Sequence, residues 1–148
     1  MQGIHIYLNF PGNTEEAFDF YRSIFGGEVT GDIMRYRDVP PTEGPEDMPL
    51  AEEEKDLVAH VSVPLTEQST LMGTDITSAE REKLIVGNSV QIMLEVDSGS
   101  EAEALFGKLS EGGRVVMPLS ETFWAEKYGA CEDKFGIHWL INYTGNRA

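Results

Sequence analysis

The sequence predicts an α+β protein built from two copies of one β-α-β-β-β module, on three observations. First, residues 4–29 and 90–115 align without a gap at a constant offset of 86 positions. Ile6, Leu8, Glu15, Phe20, Gly26, Gly27 and Val29 then meet identical residues at Ile92, Leu94, Glu101, Phe106, Gly112, Gly113 and Val115. Second, each copy has an alternating apolar run, a polar break, a 3.6-periodic stripe and a Gly-Gly stop, the pattern of a strand, a capped helix and a further strand. Third, 148 residues suit one domain, whereas each half is short enough to be marginal alone. The expected organisation is a single domain 1–148, made of modules 1–76 and 89–145 joined by a linker at 77–88.

Residues 4–10 place Ile4, Ile6, Leu8 and Phe10 on one side and His5, Tyr7 and Asn9 on the other, the period-2 alternation of a strand. The aliphatic side is expected to meet a helix, which leaves the aromatic and polar side free to line something else. Pro11 and Gly12 break the strand, and Asn13 with Glu16 forms an N-cap pair. Ala17, Phe20, Tyr21 and Ile24 then give a helical stripe that Gly26-Gly27 terminates. Residues 28–37 read as a second strand. Residues 38–56 are rich in proline and carboxylates and have little to bury, so they read as a mobile surface loop, either a lid over a pocket or a plain insertion. In 57–64, Leu57, Ala59, Val61 and Val63 alternate with Val58, His60 and Ser62, and 69–75 is a shorter strand that finishes the module. Thr77 and Glu80 mark a turn of connecting helix.

The second module opens with Val90, Ile92, Leu94 and Val96 on the helix side and Gln91, Met93 and Glu95 opposite. Ser100 and Glu103 form a capping-box pattern, Ala102, Leu105, Phe106 and Leu109 the stripe, and Gly112-Gly113 the stop. A strand over 114–119 is expected to stop near Pro118. Strands around 128–132 and 137–143 are joined by the Asp133-Lys134-Phe135-Gly136 turn.

The net charge is −15, from 26 Asp and Glu against 11 Lys and Arg. Nucleic-acid binding needs cationic side chains to neutralise phosphate, so no nucleic-acid partner is expected. No run of 18 apolar residues exists and the N-terminus has no basic segment followed by an apolar one, so neither membrane insertion nor secretion is expected. Cys131 is the only cysteine, which excludes an internal disulfide and fits a reducing, cytoplasmic setting. Its neighbours Glu132 and Asp133 disfavour a thiolate, so it reads as a buried thiol. His60 and His138 are lone strand histidines, more often structural than basic, and no Ser-His-Asp order is present. Trp124, Tyr128, Phe135 and Trp139 gather around Lys127 and Lys134, as core and dimer packing or as a ligand-stacking wall.

The duplicated module, with FYRSIFGGE after its first strand, GGRVVMPLSETFW in the second half and KYGACEDKFGIHW near the end, resembles the PhnB-like branch of the vicinal oxygen chelate superfamily, the group of glyoxalase I, bleomycin-resistance proteins and extradiol dioxygenases. The resemblance covers nearly the whole chain. It implies that the two modules pair into an open curved sheet around a cavity, within a homodimer. In the first module His5, Tyr7, Asn9, Thr70 and Met72 would face that cavity; in the second, Gln91, Met93, His138, Leu140 and Asn142. Trp139, Ile141 and Tyr143 would pack under the second helix. His60 and Trp124 complete the expected ligand-binding set.

The superfamily holds a divalent ion at four positions on the first and last strands of each module, and these fall on His5, Met72, Gln91 and Leu140. An imidazole, a thioether, an amide and an aliphatic chain are a poor set for such an ion, so no metal and no cofactor are expected. The expected function is binding of a small organic molecule, as antibiotic-sequestering relatives do, with no catalytic residue assignable. The alternative is a metal-dependent lyase, isomerase or dioxygenase in which His60, Asp75 or His138 joins His5. A third reading has the cavity filled by Met72, Met93 and Leu140 and the protein acting by interaction. Such domains also carry a ubiquinone-methyltransferase label. The chain has no glycine-rich strand-to-helix turn of the cofactor-binding kind, and we reject that assignment.

Overall fold

Each sequence copy folds as a helix laid across one side of a four-stranded mixed sheet. In the computed structural model, which describes residues 1–27, 33–40 and 50–147, the chain divides into two units, Met1–Leu84 and Ile85–Ala148. The first contains β1 (Ile6–Phe10), α1 (Thr14–Phe25), β2 (Met34–Arg35), β3 (Val58–Thr66), β4 (Ser69–Asp75) and a single turn of helix, α2 (Ser78–Arg81). The second contains β5 (Ile92–Glu95), α3 (Gly99–Ser110), β6 (Arg114–Ser120), β7 (Lys127–Glu132) and β8 (His138–Tyr143). The sheet orders are β1-β4-β3-β2 and β5-β8-β7-β6. In each, the first and last strands are parallel and the other neighbours antiparallel.

Within β1 and β5 strand parity places the side chains as the alternation requires, but Ile4 and Val90, expected on the helix side, lie before the strands and are 69% and 75% exposed. In β1, Ile6, Leu8 and Phe10 turn toward α1 while Tyr7 and Asn9 are exposed; in β5, Ile92 and Leu94 turn inward while Met93 and Glu95 are exposed. Trp139 and Ile141 are fully buried beneath α3. The central strand β3 departs from alternation, burying Val58 along with Val61, Ser62 and Val63.

The helices differ from expectation in how they are seated. The buried stripe of α1 is Thr14, Ala17, Phe18, Tyr21 and Ile24; Phe20 lies at its margin and Phe18 takes the central place. The cause is Gly73, whose missing side chain opens a slot against β4 that the Phe18 ring fills. Asn13 occupies the N-cap position but makes no capping hydrogen bond. Asp75, 61 residues away, caps the helix instead: the Thr14 N–H donates to Asp75 Oδ1 at 2.9 Å and Thr14 Oγ1 donates to the same oxygen at 2.6 Å. Asp75 Oδ2 accepts the Val58 N–H at 2.8 Å, so one carboxylate ties together α1, β3 and β4. In the second unit the helix is capped by Ser98 and Glu101, not by Ser100 and Glu103. Ser98 Oγ accepts the Glu101 N–H and Glu101 Oε2 accepts the Asp97 N–H. Gly26 ends α1 in the left-handed region (φ 69°), its N–H returning to Arg22 O.

Three other segments differ as well. The strand expected over 28–37 is Met34–Arg35 followed by a turn of 3-10 helix at Tyr36–Asp38, and 28–32 lie outside the described residues. Residues 41–49, the centre of the expected loop, also lie outside them. β6 runs through Pro118 to Ser120, since the register shifts beside the proline, where the missing N–H breaks no ladder bond.

Candidate functional site

Of the expected residues, Tyr7, His60, Met72, Met93, His138 and Leu140 stand on strands, on the faces turned away from α1 and α3, while His5, Gln91 and Trp124 lie outside the strands. On the first sheet the Tyr7 hydroxyl lies 3.3 Å from His60 Nδ1, and the rings are tilted with centroids 5.8 Å apart. Met72 is the register partner of Tyr7 on β4 and Met34 that of His60 on β2. Apart from Asp75, strands β1, β3 and β4 contain no charged side chain, so this face offers aromatic, thioether and hydroxyl groups to a ligand. His5 lies just before β1 and is exposed. Gln91, its repeat counterpart, has the same place before β5.

On the second sheet Met93, 57% exposed, pairs in register with Leu140, which adjoins Ala130 and then Met117. His138 lies in a cross-strand row with Glu132 and Arg114: its Nε2 is 4.0 Å from Glu132 Oε2, to which Arg114 Nη2 donates at 3.0 Å. Along the same face, Asn142 Nδ2 donates to Glu95 Oε2 at 2.8 Å and to Thr144 Oγ1 at 3.1 Å, and Thr144 Oγ1 donates to Glu95 Oε1 at 2.9 Å. The aromatic quartet seen in the sequence separates. Trp124 stacks edge-on against Tyr128 at 5.2 Å and against Phe123 at 4.7 Å, and is 41% exposed. Trp139 sits on the opposite side of the sheet in the core, its indole N–H donating to buried Asp133 Oδ2 at 2.9 Å.

The donor set does not fit a divalent ion. Leu140 has no lone pair to give, and the replacement ligand Asp75 is turned to the helix side with both oxygens engaged by Thr14 and Val58. Among the described residues no three His, Cys, Asp or Glu side chains come together as a metal-binding group. Cys131 is 1% exposed beneath α3, where burial, reinforced by the Asp133 charge, pushes its thiol up to about 11. A thiol so held is no nucleophile at neutral pH.

Asn142 is among the residues expected to face the cavity and Tyr128 in the expected aromatic group, but neither a binding role for Glu95 nor the unsatisfied Asn142 Oδ1 is visible in the sequence. The parity of β5 and β8 places Glu95 and Asn142 on the right face. Their hydrogen bonding depends on Thr144, beyond the end of β8 and outside the alternation.

The model of the Glyoxalase/Bleomycin resistance protein/Dioxygenase superfamily matches residues 3–141. The chain is similar to protein PA1353 from Pseudomonas aeruginosa, with 34% identity and a TM-score of 0.79 over 97% of this chain and 98% of that one. It is also similar to a PhnB protein from Bacillus cereus, provisionally described as a 3-demethylubiquinone-9 3-methyltransferase, with 26% identity and a TM-score of 0.72 over 96% and 99% of the two chains. Protein YjdN of Escherichia coli strain K12 is 27% identical over 139 residues, 92% of this chain and 91% of its own length.

Proposed function

Because the chain belongs to the Glyoxalase/Bleomycin resistance protein/Dioxygenase superfamily, we propose that it binds a small organic molecule against the helix-free faces of its two sheets, without a resident metal ion. The observation that carries this reading is the composition of those faces. Tyr7 and Met93 stand about half exposed on sheet surfaces of a kind normally packed against something. Around them lie Met34, Met72, Leu140 and the Tyr7–His60 pair. Thioethers adapt to ligand shape, and the hydroxyl and imidazole supply direction. Each 100 Å² of apolar surface that a ligand covers contributes roughly 2.5 kcal/mol before the cost of association is subtracted.

A cytoplasmic homodimer is part of the proposal. The single buried cysteine suits a reducing compartment, and among the described residues no helix is long and apolar enough to cross a membrane. The methyltransferase description of the Bacillus cereus protein is not carried over, since a methyl donor needs a site for which the strand-to-helix turns here have no glycine-rich loop.

Native mass spectrometry of freshly purified protein, with and without EDTA, tests the reading. The expected spectrum is a dimer whose mass EDTA does not change, at bare polypeptide mass or with a retained organic molecule that Tyr7→Ala weakens. One divalent ion per chain, lost with EDTA, would overturn the metal-free reading.

A further inference from the structure

We propose that Glu95, Asn142, Tyr128 and Trp124 form a subsite on the second sheet for the protonated amine of an organic ligand. The proposal rests on the small-molecule reading above and adds the ligand's charge and the residues that read it.

It starts from an unsatisfied atom. Asn142 is 6% exposed and its Oδ1 is buried without a hydrogen-bond donor, a state that folded proteins seldom leave uncompensated. The amide cannot simply be turned over. Both oxygens of Glu95 are acceptors, one taking the Asn142 Nδ2 proton and the other the Thr144 hydroxyl proton. The Thr144 oxygen is therefore itself an acceptor for Nδ2. Every member of this ring points Asn142 Nδ2 toward Glu95 and Thr144 and leaves Oδ1 waiting for a donor. The strand backbone is already satisfied here, the Val96 N–H donating to Asn142 O at 3.0 Å.

The surroundings say what kind of donor. Glu95, Asn142 and Tyr128 are register neighbours on three successive strands of one face, roughly 4.8 Å apart from strand to strand. A carboxylate and an orphaned amide oxygen therefore lie beside an aromatic ring, and Trp124 extends that ring outward to the largely exposed Phe123. The neighbouring cations are occupied elsewhere: Lys127 with Glu103, Arg114 with Glu132, and Arg147 with Glu121. Two acceptors, one of them charged, next to aromatic faces complement an N–H donor that carries positive charge. An anionic ligand would meet Glu95 with nothing to offset it.

The test uses three probes of like shape and different charge: phenethylammonium, 2-phenylethanol and 3-phenylpropionate. Each is titrated into the 15N-labelled full chain at constant salt and followed at the Asn142 side-chain amide and the Trp124 indole. The ammonium is expected to bind at least ~tenfold more tightly than the alcohol and to shift both signals, with the carboxylate weaker still. Glu95→Gln, which keeps an acceptor and removes the charge, is expected to bring ammonium and alcohol to within about twofold of each other. Trp124→Ala, with the fold checked by its 15N spectrum, is expected to weaken the ammonium about threefold or more. Equal affinities for ammonium and alcohol, or an Asn142 signal that no ammonium concentration moves, overturns the proposal and leaves Oδ1 to an ordinary bound water. If that happens while the alcohol or a co-purifying ligand still binds the sheet faces, the subsite alone is lost. If no probe binds and no ligand is retained, the small-molecule reading falls with it.

Discussion

Replacing Asp75 with alanine strips three donors of their acceptor at once: the Thr14 N–H, the Thr14 hydroxyl and the Val58 N–H. Thr14 is fully buried and Val58 is 1% exposed, so water does not reach them without local opening. Hydrogen bonds to a charged acceptor contribute about 1.5–3 kcal/mol each, and a donor left bare in the interior costs about 1–3 kcal/mol. Against this stands the relief of a buried carboxylate's desolvation, several kcal/mol. The net expectation is a loss of about 4 kcal/mol, which at this chain length lowers the melting temperature by roughly 8–16 °C. Thr14→Val is the control, deleting only the hydroxyl donor at nearly constant volume, for about 1 kcal/mol. Urea denaturation followed by circular dichroism measures both variants, and hydrogen exchange at the Thr14 and Val58 amides locates the damage. If Asp75→Ala costs less than ~1 kcal/mol, or no more than Thr14→Val, then the carboxylate is not the clamp that joins α1 to β3 and β4, and the reasoning fails.

Gly73→Ala would drive a methyl group into the Phe18 ring and the Thr14 methyl and should cost roughly 1–3 kcal/mol by thermal denaturation. Gly26→Ala meets no atom but has to hold φ 69°, and should cost about 1 kcal/mol, all of it backbone strain. Cys131 should resist a thiol reagent such as DTNB at pH 8 until the chain is unfolded. Its thiol is raised from an ordinary value near 9 to about 11. Its contribution is therefore complete below pH 9 and lost as pH rises toward 11, and Cys131→Ala should lose less stability across that window than the parent. Arg35 holds Glu15 through two N–H donors at 3.1 Å on the open surface, and Arg35→Ala should cost under ~1 kcal/mol in low salt, measured by chemical denaturation.

The β-α-β-β-β order was legible because period-2 and period-3.6 patterns differ sharply and because the chain states its module twice. What the pattern left undecided was which of several equivalent residues each element uses. Phe18 and Phe20 are both apolar and flank the Ala17–Tyr21 line of the helix on opposite sides. Only the slot at Gly73, 55 positions after Phe18, selects between them. Ser98 and Ser100 each precede a glutamate by three residues, so two equivalent cap signals are present and the helix uses Ser98. The Asp75 cap has no local signal at all, being a contact across 61 residues. For the candidate site, alternation placed Tyr7, Met72, Met93 and Leu140 on their faces, and composition made the metal set look poor. The Tyr7–His60 contact and the Glu95–Asn142–Thr144 ring depend on side-chain reach across strands, which no one-dimensional pattern encodes.

The proline in β6 has a consequence for how this chain behaves in company. β6 is an end strand of its sheet, and Val115, Val116 and Met117 on it are each nearly half exposed. A flat apolar end strand is a template on which further chains grow into fibrils. Arg114 at its start, Pro118 within it and the two register shifts around them deny an incoming strand a continuous row of partners. Pro118, with no N–H to offer an incoming strand, belongs to the residue types that blunt such an edge against polymerisation.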